Sequence, residues 1–301
     1  MRLSDRVNPF TPNPELRIWI DGDLRPSAEA CINVFDHGLL YGDGVFEGIR
    51  VYGGEIFKEG EHIDRIFESA GAILLEMPLT RDELSAAMHE TIEANGVEDG
   101  YIRLLVTRGV GALGISIDKA SCPSVIIIAA TIQLYPPELY DRGLRCMTPG
   151  TLRNHPSTTC ARVKSLNYLN NVMAKAEAKL AGYDEGIMLN ADGYVTEGTG
   201  DNVFIVKNGG LFTPPLSCGI LAGITRKLVM ELALVRGYVS HESLLLRHDV
   251  YTADECFLTG TAAEIIPVAS LDKRPIGEGR PGPITRQLMA DFADYRTRRR
   301  D

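Results

Sequence analysis

The chain predicts an α+β fold, and three features of its 301 residues point there. Tight-turn signals separate short runs of branched and aromatic residues, as in LRIWIDGDLRP at 16–26. Apolar stripes of helical period stand apart from those runs instead of alternating with each of them, and neither an internal repeat nor a series of βαβ units is present. The length suits two domains or one large one.

The fold opens on a hairpin, because Asp21 and Gly22 form a turn between two strand-like runs. A second strand pair, GVFEGIRVY at 44–52 and EIFKEG at 55–60, is joined by Gly53 and Gly54. Residues 61–75 then place Ile63, Ile66, Phe67, Ala70, Ile73 and Leu74 on one helical stripe. A helix over 80–95 follows, with Thr80 and Glu83 as a capping box and Leu84, Ala87, Met88 and Ile92 as its stripe. Strands YIRLLVTRG at 101–109 and SVIIIAAT at 124–131 complete the first half. The Pro136-Pro137 pair marks a connection at 132–142, since proline removes backbone donors and disfavours a continuing element; a smaller N-terminal α/β domain then covers 1–131 and a larger C-terminal domain 143–301. Beyond it the sequence predicts a short strand near Arg145, a helix at 166–181, the strand and turn series GIMLNADGYVTEG and DNVFIVKNGGLFTP, and helices at 225–236 and 283–294.

Composition narrows the function. With 31 Lys+Arg against 40 Asp+Glu the net charge is -9, which disfavours a general nucleic-acid surface; RTRRR at 296–300 reads as a solvated tail. The longest apolar run, VIIIAA at 125–130, is far short of the roughly 20 residues that span a bilayer, and MRLSDRVNPFTPNP carries no apolar leader core, so no membrane role and a cytoplasmic location are expected. The cysteines at 31, 122, 146, 160, 218 and 256 stand singly, which argues against a disulfide scaffold or a metal site.

Three places can carry chemistry. Lys164 precedes a stripe of Leu166, Leu169, Met173, Ala176 and Leu180, and is either a surface lysine or an amine nucleophile that forms a Schiff base in a pocket that lowers its pKa. Gly223, Ile224 and Thr225 open a predicted helix, whose free N–H groups either take an ordinary cap or hold an anion. Glu197 ends the strand YVTE; buried against a pyridine nitrogen, a carboxylate there would keep that nitrogen protonated.

Five segments, in order over nearly the whole chain, decide between these readings by resemblance: YGDGVFEGIRVY at 41–52, ARVKSLNYLNN at 161–171, DGYVTEGTGDNVFIVKNGGLFTPP at 192–215, GITR at 223–226 and LTGTAAEIIPV at 258–268. They resemble the class IV pyridoxal-phosphate aminotransferases, with the two-domain fold of the D-amino-acid-aminotransferase type, and most of all the branched-chain amino acid branch. That resemblance implies pyridoxal 5'-phosphate bound by the C-terminal domain, with Lys164 as the Schiff-base lysine and proton shuttle. It implies Arg65, Ile224 and Thr225 at the phosphate, Glu197 at the ring nitrogen and Tyr168 at the phenolic oxygen; Tyr168 lies four residues after the lysine, where some branched-chain members have five. Thr261 and Ala262 match a turn that binds the substrate α-carboxylate, and Thr261 also falls among the cofactor contacts. Tyr101 and Arg103, two apart and so on one face of a strand, match a signature in which the arginine receives the distal carboxylate of glutamate. Tyr41, Phe46, Leu113 and Ile115 are implied as side-chain pocket walls.

The activity so implied moves the amino group of L-leucine, L-isoleucine or L-valine to 2-oxoglutarate, giving the 2-oxo acid and L-glutamate in a ping-pong cycle, in a homodimer or higher homo-oligomer. Alternatives are a D-amino-acid or amine transaminase, an aminodeoxychorismate lyase, and a noncatalytic anion-binding protein that uses GVGALG at 109–114 as its loop.

Overall fold

The computed structural model describes residues 13–132 and 135–298. Two sheets organise them. The first has the order β2-β1-β6-β5-β3-β4, built from β1 (Arg17–Ile20), β2 (Asp23–Pro26), β3 (Gly44–Tyr52), β4 (Glu55–Ile56), β5 (Gly100–Thr107) and β6 (Ser124–Ala130), all antiparallel. The Asp21-Gly22 turn has φ of 51° and 101°, a left-handed pair that suits the twist of a two-residue hairpin.

A short helix, α1 (His37–Tyr41), precedes β3; α2 (Glu59–Ala72) and α3 (Arg81–Asn95) pack on the sheet. The α3 cap is the predicted box, with the Thr80 hydroxyl accepting from Glu83 N while Glu83 accepts from Thr80 N. The second helix starts two residues before the expected point and stops at Ala72, because Leu74 turns to φ 54° and leaves the core, 73 % exposed. Ile63, Ile66 and Ala70 enter the core beneath β3 and β5, as the stripe required.

The connection around Pro136-Pro137 is not structureless: α4 (Pro137–Arg142) occupies it, with Pro137 in the first helical turn, where a missing N–H breaks no bond. The second sheet contains β7 (Leu144–Met147), β8 (Glu185–Leu189), β9 (Val195–Gly198), β10 (Asn202–Lys207), β11 (Gly210–Thr213), β12 (Ser240–Glu242), β13 (Glu255–Gly260), β14 (Glu264–Leu271) and β15 (Arg274–Pro275). Its order is β12-β11-β10-β13-β14-β7-β8-β9, and a further pairing of β9 with β10 closes six of these strands into a ring. Three of its pairings are parallel, β7 with β14, β7 with β8 and β11 with β12, so only the first sheet is purely antiparallel.

Helices α5 (Leu169–Leu180), α6 (Ile224–Val235), α7 (Arg247–Tyr251) and α8 (Pro283–Arg298) complete the chain. The fifth presents small residues, Ala174 and Ala178 with Asn171, inward toward β8. Its apolar stripe therefore faces out, with Leu169 73 %, Met173 51 % and Leu180 88 % exposed. Between α6, α8 and the second sheet lies an aromatic core in which Phe204 and Phe257 stack at 5.1 Å. The expected basic tail is in part built in: Arg296 pairs with Glu264 and lies over the Tyr52 ring, while 299–300 fall outside the described residues, as does nearly all of the N-terminal stretch. No helix among the described residues is long and apolar enough to cross a membrane.

Candidate active site

A cavity of about 280 Å³ lies where β3 and β5 meet the segment before α5, the start of α6 and the β13–β14 turn. Strand alternation builds its first wall. Successive side chains of β3 point to opposite faces, so Phe46 and Gly48 look into the cavity while Glu47 enters the layer beneath α2. Tyr101 and Arg103 of β5 share the cavity face, and Gly48, opposite Arg103 in register, makes room for them. A Cβ at Gly48 would lie 1.7 Å from the phenolic oxygen of Tyr101, so any side chain there would evict the ring. The Arg103 guanidinium sits 4.7 Å from the Phe46 ring centre, a cation held over an apolar floor.

Backbone pairing delivers Lys164. The Phe46 amide donates to the Lys164 carbonyl at 3.0 Å, Leu166 N donates to Gly44 O at 2.9 Å, and Ser165 bridges to Val45. The amine is left 3.3 Å from the Tyr168 hydroxyl and 4.5 Å from the Phe46 ring centre. Tyr168 is the N-cap residue of α5, and its ring meets that of Phe46 edge to face at 4.9 Å.

At one end, α6 begins at Gly223 with no side-chain cap, leaving its first amides free beside Ile224 and the buried Thr225. Arg65 reaches the same end from α2. Its Nε and Nη2 donate to Glu47 at 2.7 and 2.8 Å, and its Nη1 to Ala222 O at 3.0 Å. His62 joins the pair through Nδ1, 2.8 Å from Glu47. Burial opposes the charge on Glu47, yet Arg65 and His62 hold its carboxyl well below the usual carboxylate range; burial pushes His62 down. An uncapped helix start beside a fixed arginine is a seat for a dianion.

Glu197 lies behind the cavity wall rather than in it, 5 % exposed. Arg153 Nε donates to its Oε1 at 2.7 Å, and Asn202 Nδ2 and Leu221 N to its Oε2, each at 3.0 Å. Burial pushes its carboxyl up, and Arg153 opposes that. Arg153 is in turn linked to Asn171 at 3.3 Å. The opposite wall holds Tyr135, Lys175, Glu185, Thr199 and Asp201. At the β13–β14 turn, Thr261 and Ala262 face the cavity, no acceptor among the described residues takes their amide hydrogens, and the buried Thr259 hydroxyl is also without a partner.

The structure thus brings together Lys164, Arg65, Tyr168, Ile224, Thr225, Thr261, Ala262, Phe46, Tyr101 and Arg103. It does not bring Tyr41, Leu113 and Ile115 into this chain's cavity. They are 37 %, 63 % and 85 % exposed, because residues 109–120 fold against α1 at the surface, where Gly114 N donates to the Tyr41 hydroxyl at 2.8 Å. The glycines of that loop serve tight packing: a Cβ at Gly109 would meet Cys122 O at 1.7 Å. Sequence reasoning missed Glu47, His62, Arg153, Asn202 and Asp201. Glu47 carried one signal, a charge inside the otherwise apolar VFEGI run.

Comparison with known proteins shows what the chain as a whole is similar to. The family profile for amino-transferase class IV matches residues 44–271. A Methanocaldococcus jannaschii protein that carries the provisional name of branched-chain-amino-acid aminotransferase is 48% identical, over 94% of this chain and 97% of its own. The crystal structure of the Escherichia coli branched-chain amino acid aminotransferase superposes with a TM-score of 0.88 at 37% identity, over 93% of this chain and 94% of that one. The branched-chain amino acid aminotransferase from Thermobaculum terrenum, solved in its PLP-bound holo form, gives a TM-score of 0.84 at 33% identity and 94% coverage of both chains.

Proposed function

The chain belongs to the class IV aminotransferases, and from that membership we propose that it is a pyridoxal-phosphate enzyme exchanging amino groups between L-leucine, L-isoleucine or L-valine and 2-oxoglutarate. The observation that carries the substrate reading is Arg103 lying over Phe46: one wall of the cavity offers both a cation for a distal carboxylate and an apolar surface for a hydrocarbon side chain.

The residues fit the cofactor. Arg65, Ile224 and Thr225 would hold its phosphate at the uncapped start of α6, and Tyr168 and Lys164 would meet its reacting edge. Glu197, steadied by Arg153, would face the ring nitrogen from behind Asn202 and Leu221. When bound, the cofactor supplies an electron sink for breaking the substrate Cα–H bond. Lys164 Nζ is the group placed to take and return that proton, with Tyr168 orienting it. Thr261 and Ala262 would seat the α-carboxylate on their amides.

Tyr41, Leu113 and Ile115 reach a substrate only from a second copy of the chain. The exposed Ile32, Val34, Phe35 and Leu39 around them make an apolar face such a copy would cover, so we place the enzyme in a homodimer or larger assembly. All six thiols are free, consistent with work in the cytosol.

Half-reactions of the holoenzyme with L-valine, L-leucine, L-isoleucine, D-alanine, aromatic amino acids and simple amines test the reading; the three branched substrates are expected to react fastest. Arg103→Met is expected to slow the 2-oxoglutarate half-reaction by about 1.5–3 kcal/mol, roughly 10- to 150-fold, and to spare L-leucine. Equal proportional losses would reject the role of Arg103.

A further inference from the structure

Two carboxylates on the wall opposite the phosphate end are treated very differently. Glu185 is saturated: it accepts from Tyr135 Oη at 2.9 Å, Gly186 N at 2.8 Å, Thr199 Oγ1 at 2.6 Å and Lys175 Nζ. Asp201 is not. It is 7 % exposed and lines the cavity, and no hydrogen bond from another described residue reaches its carboxyl. Its Oδ1 packs directly on Gly260, where an added Cβ would lie only 2.0 Å away, so it stands against the turn that carries Thr261 and Ala262.

We propose that Asp201 is the residue through which the cavity takes up a proton when a carboxylate ligand binds at the Gly260–Ala262 turn. The inference rests on the reading of that turn as the carboxylate seat. A ligand carboxylate brought there adds negative charge beside a desolvated acid that has no fixed donor. Transfer of one proton from a buffer acid to an Asp201 oxygen removes the repulsion and turns that oxygen into a donor.

The groups that bear on Asp201 are Glu185 of β8, Glu197 of β9, Lys175 of α5, Lys164, and the phenols of Tyr135 and Tyr140 on the α4 side. Burial pushes its carboxyl up to about 7, with Glu185 and Glu197 adding to the rise and Lys175 and Lys164 opposing it. The sign follows. A ligand that favours the protonated form raises this value further, so protons are taken up on binding. Affinity is then level below about pH 7 and falls as pH rises above it.

The test is calorimetric titration of the pyridoxamine-phosphate holoenzyme with 4-methylpentanoate at three pH values between about 6 and 8, each in two buffers of different ionisation heat. Proton uptake is expected to rise from near zero toward about one per site across that range, with affinity falling up to roughly fivefold over the last pH unit. Asp201→Asn is expected to lose both effects, and Asp201→Ser serves if the first variant does not fold. Binding without uptake, or equal uptake in wild type and variant, would overturn the inference alone. No binding at any pH would overturn the carboxylate seat itself.

Discussion

Glu47 and Glu197 are both buried carboxylates paired with an arginine, yet the protein uses them in opposite ways. Glu47 receives two guanidinium hydrogen bonds and a histidine, and is held firmly ionised. Glu197 receives one guanidinium hydrogen bond, one amide side chain and one backbone N–H, and burial there outweighs the pairing, so its carboxyl rises. What differs is how many charged donors answer the cost of desolvation. A saturated pair anchors an element, here α2 with its arginine. An under-compensated carboxylate retains capacity for one more cationic partner, which is what a protonated ring nitrogen would be.

The largest expected effect breaks the anchor. Glu47→Gln leaves Arg65 buried without its carboxylate partner and is expected to cost about 3–5 kcal/mol in urea unfolding of the cofactor-free chain, with weakened cofactor retention in the holoenzyme. A loss below about 1 kcal/mol would show that the pair is not the anchor.

The matching change at the other site is expected to fall on chemistry. Glu197→Gln should slow proton removal from a saturating L-amino acid by at least about tenfold, equivalent to about 1.4 kcal/mol, in the isolated half-reaction. An unchanged rate would remove Glu197 from the ring nitrogen.

The smallest effect is in pH dependence and has opposite sign at the two sites. For Glu47, whose value is depressed on folding, stabilisation is complete above the unfolded value of about 4.3 and is lost as pH falls toward the folded one. For Glu197, whose value is raised, the folded chain binds the proton more tightly, so stability declines as pH rises from about 4.3 toward the folded value. Urea midpoints of the cofactor-free chain across the acid range should therefore show the penalty of Glu47→Gln shrinking in acid, and Glu197→Gln removing a decline. Parallel pH curves for the two variants would erase the distinction.

Much of the local structure was legible from neighbours in the chain. The Asp21-Gly22 hairpin, the Thr80 capping box and the two faces of β5 depend on dihedral preference, a spacing of three, and a period of two. Lys164 and the Gly223–Thr225 start were marked by the elements they precede. The outward stripe of α5 was not legible, because periodicity reports that a face is apolar and not what covers it; a tight approach to β8 instead selected Ala174 and Ala178.

The sequence by itself determined many of the strands and helices, though not α1, α4, α7 or β12–β15, and which residues could hold an anion or act as an amine, because those depend on backbone dihedrals and side-chain chemistry within a few positions. Only the tertiary structure decided how these groups are charged and where they face. Glu47 meets Arg65 across 18 positions, Glu197 meets Arg153 across 44, and Asp201 reaches Gly260 from another part of the chain. Tyr41, Leu113 and Ile115 were sent to the surface by the same packing. Desolvation and Coulomb interaction depend on distance in space and on the solvent excluded between groups, and neither quantity is written in the order of residues.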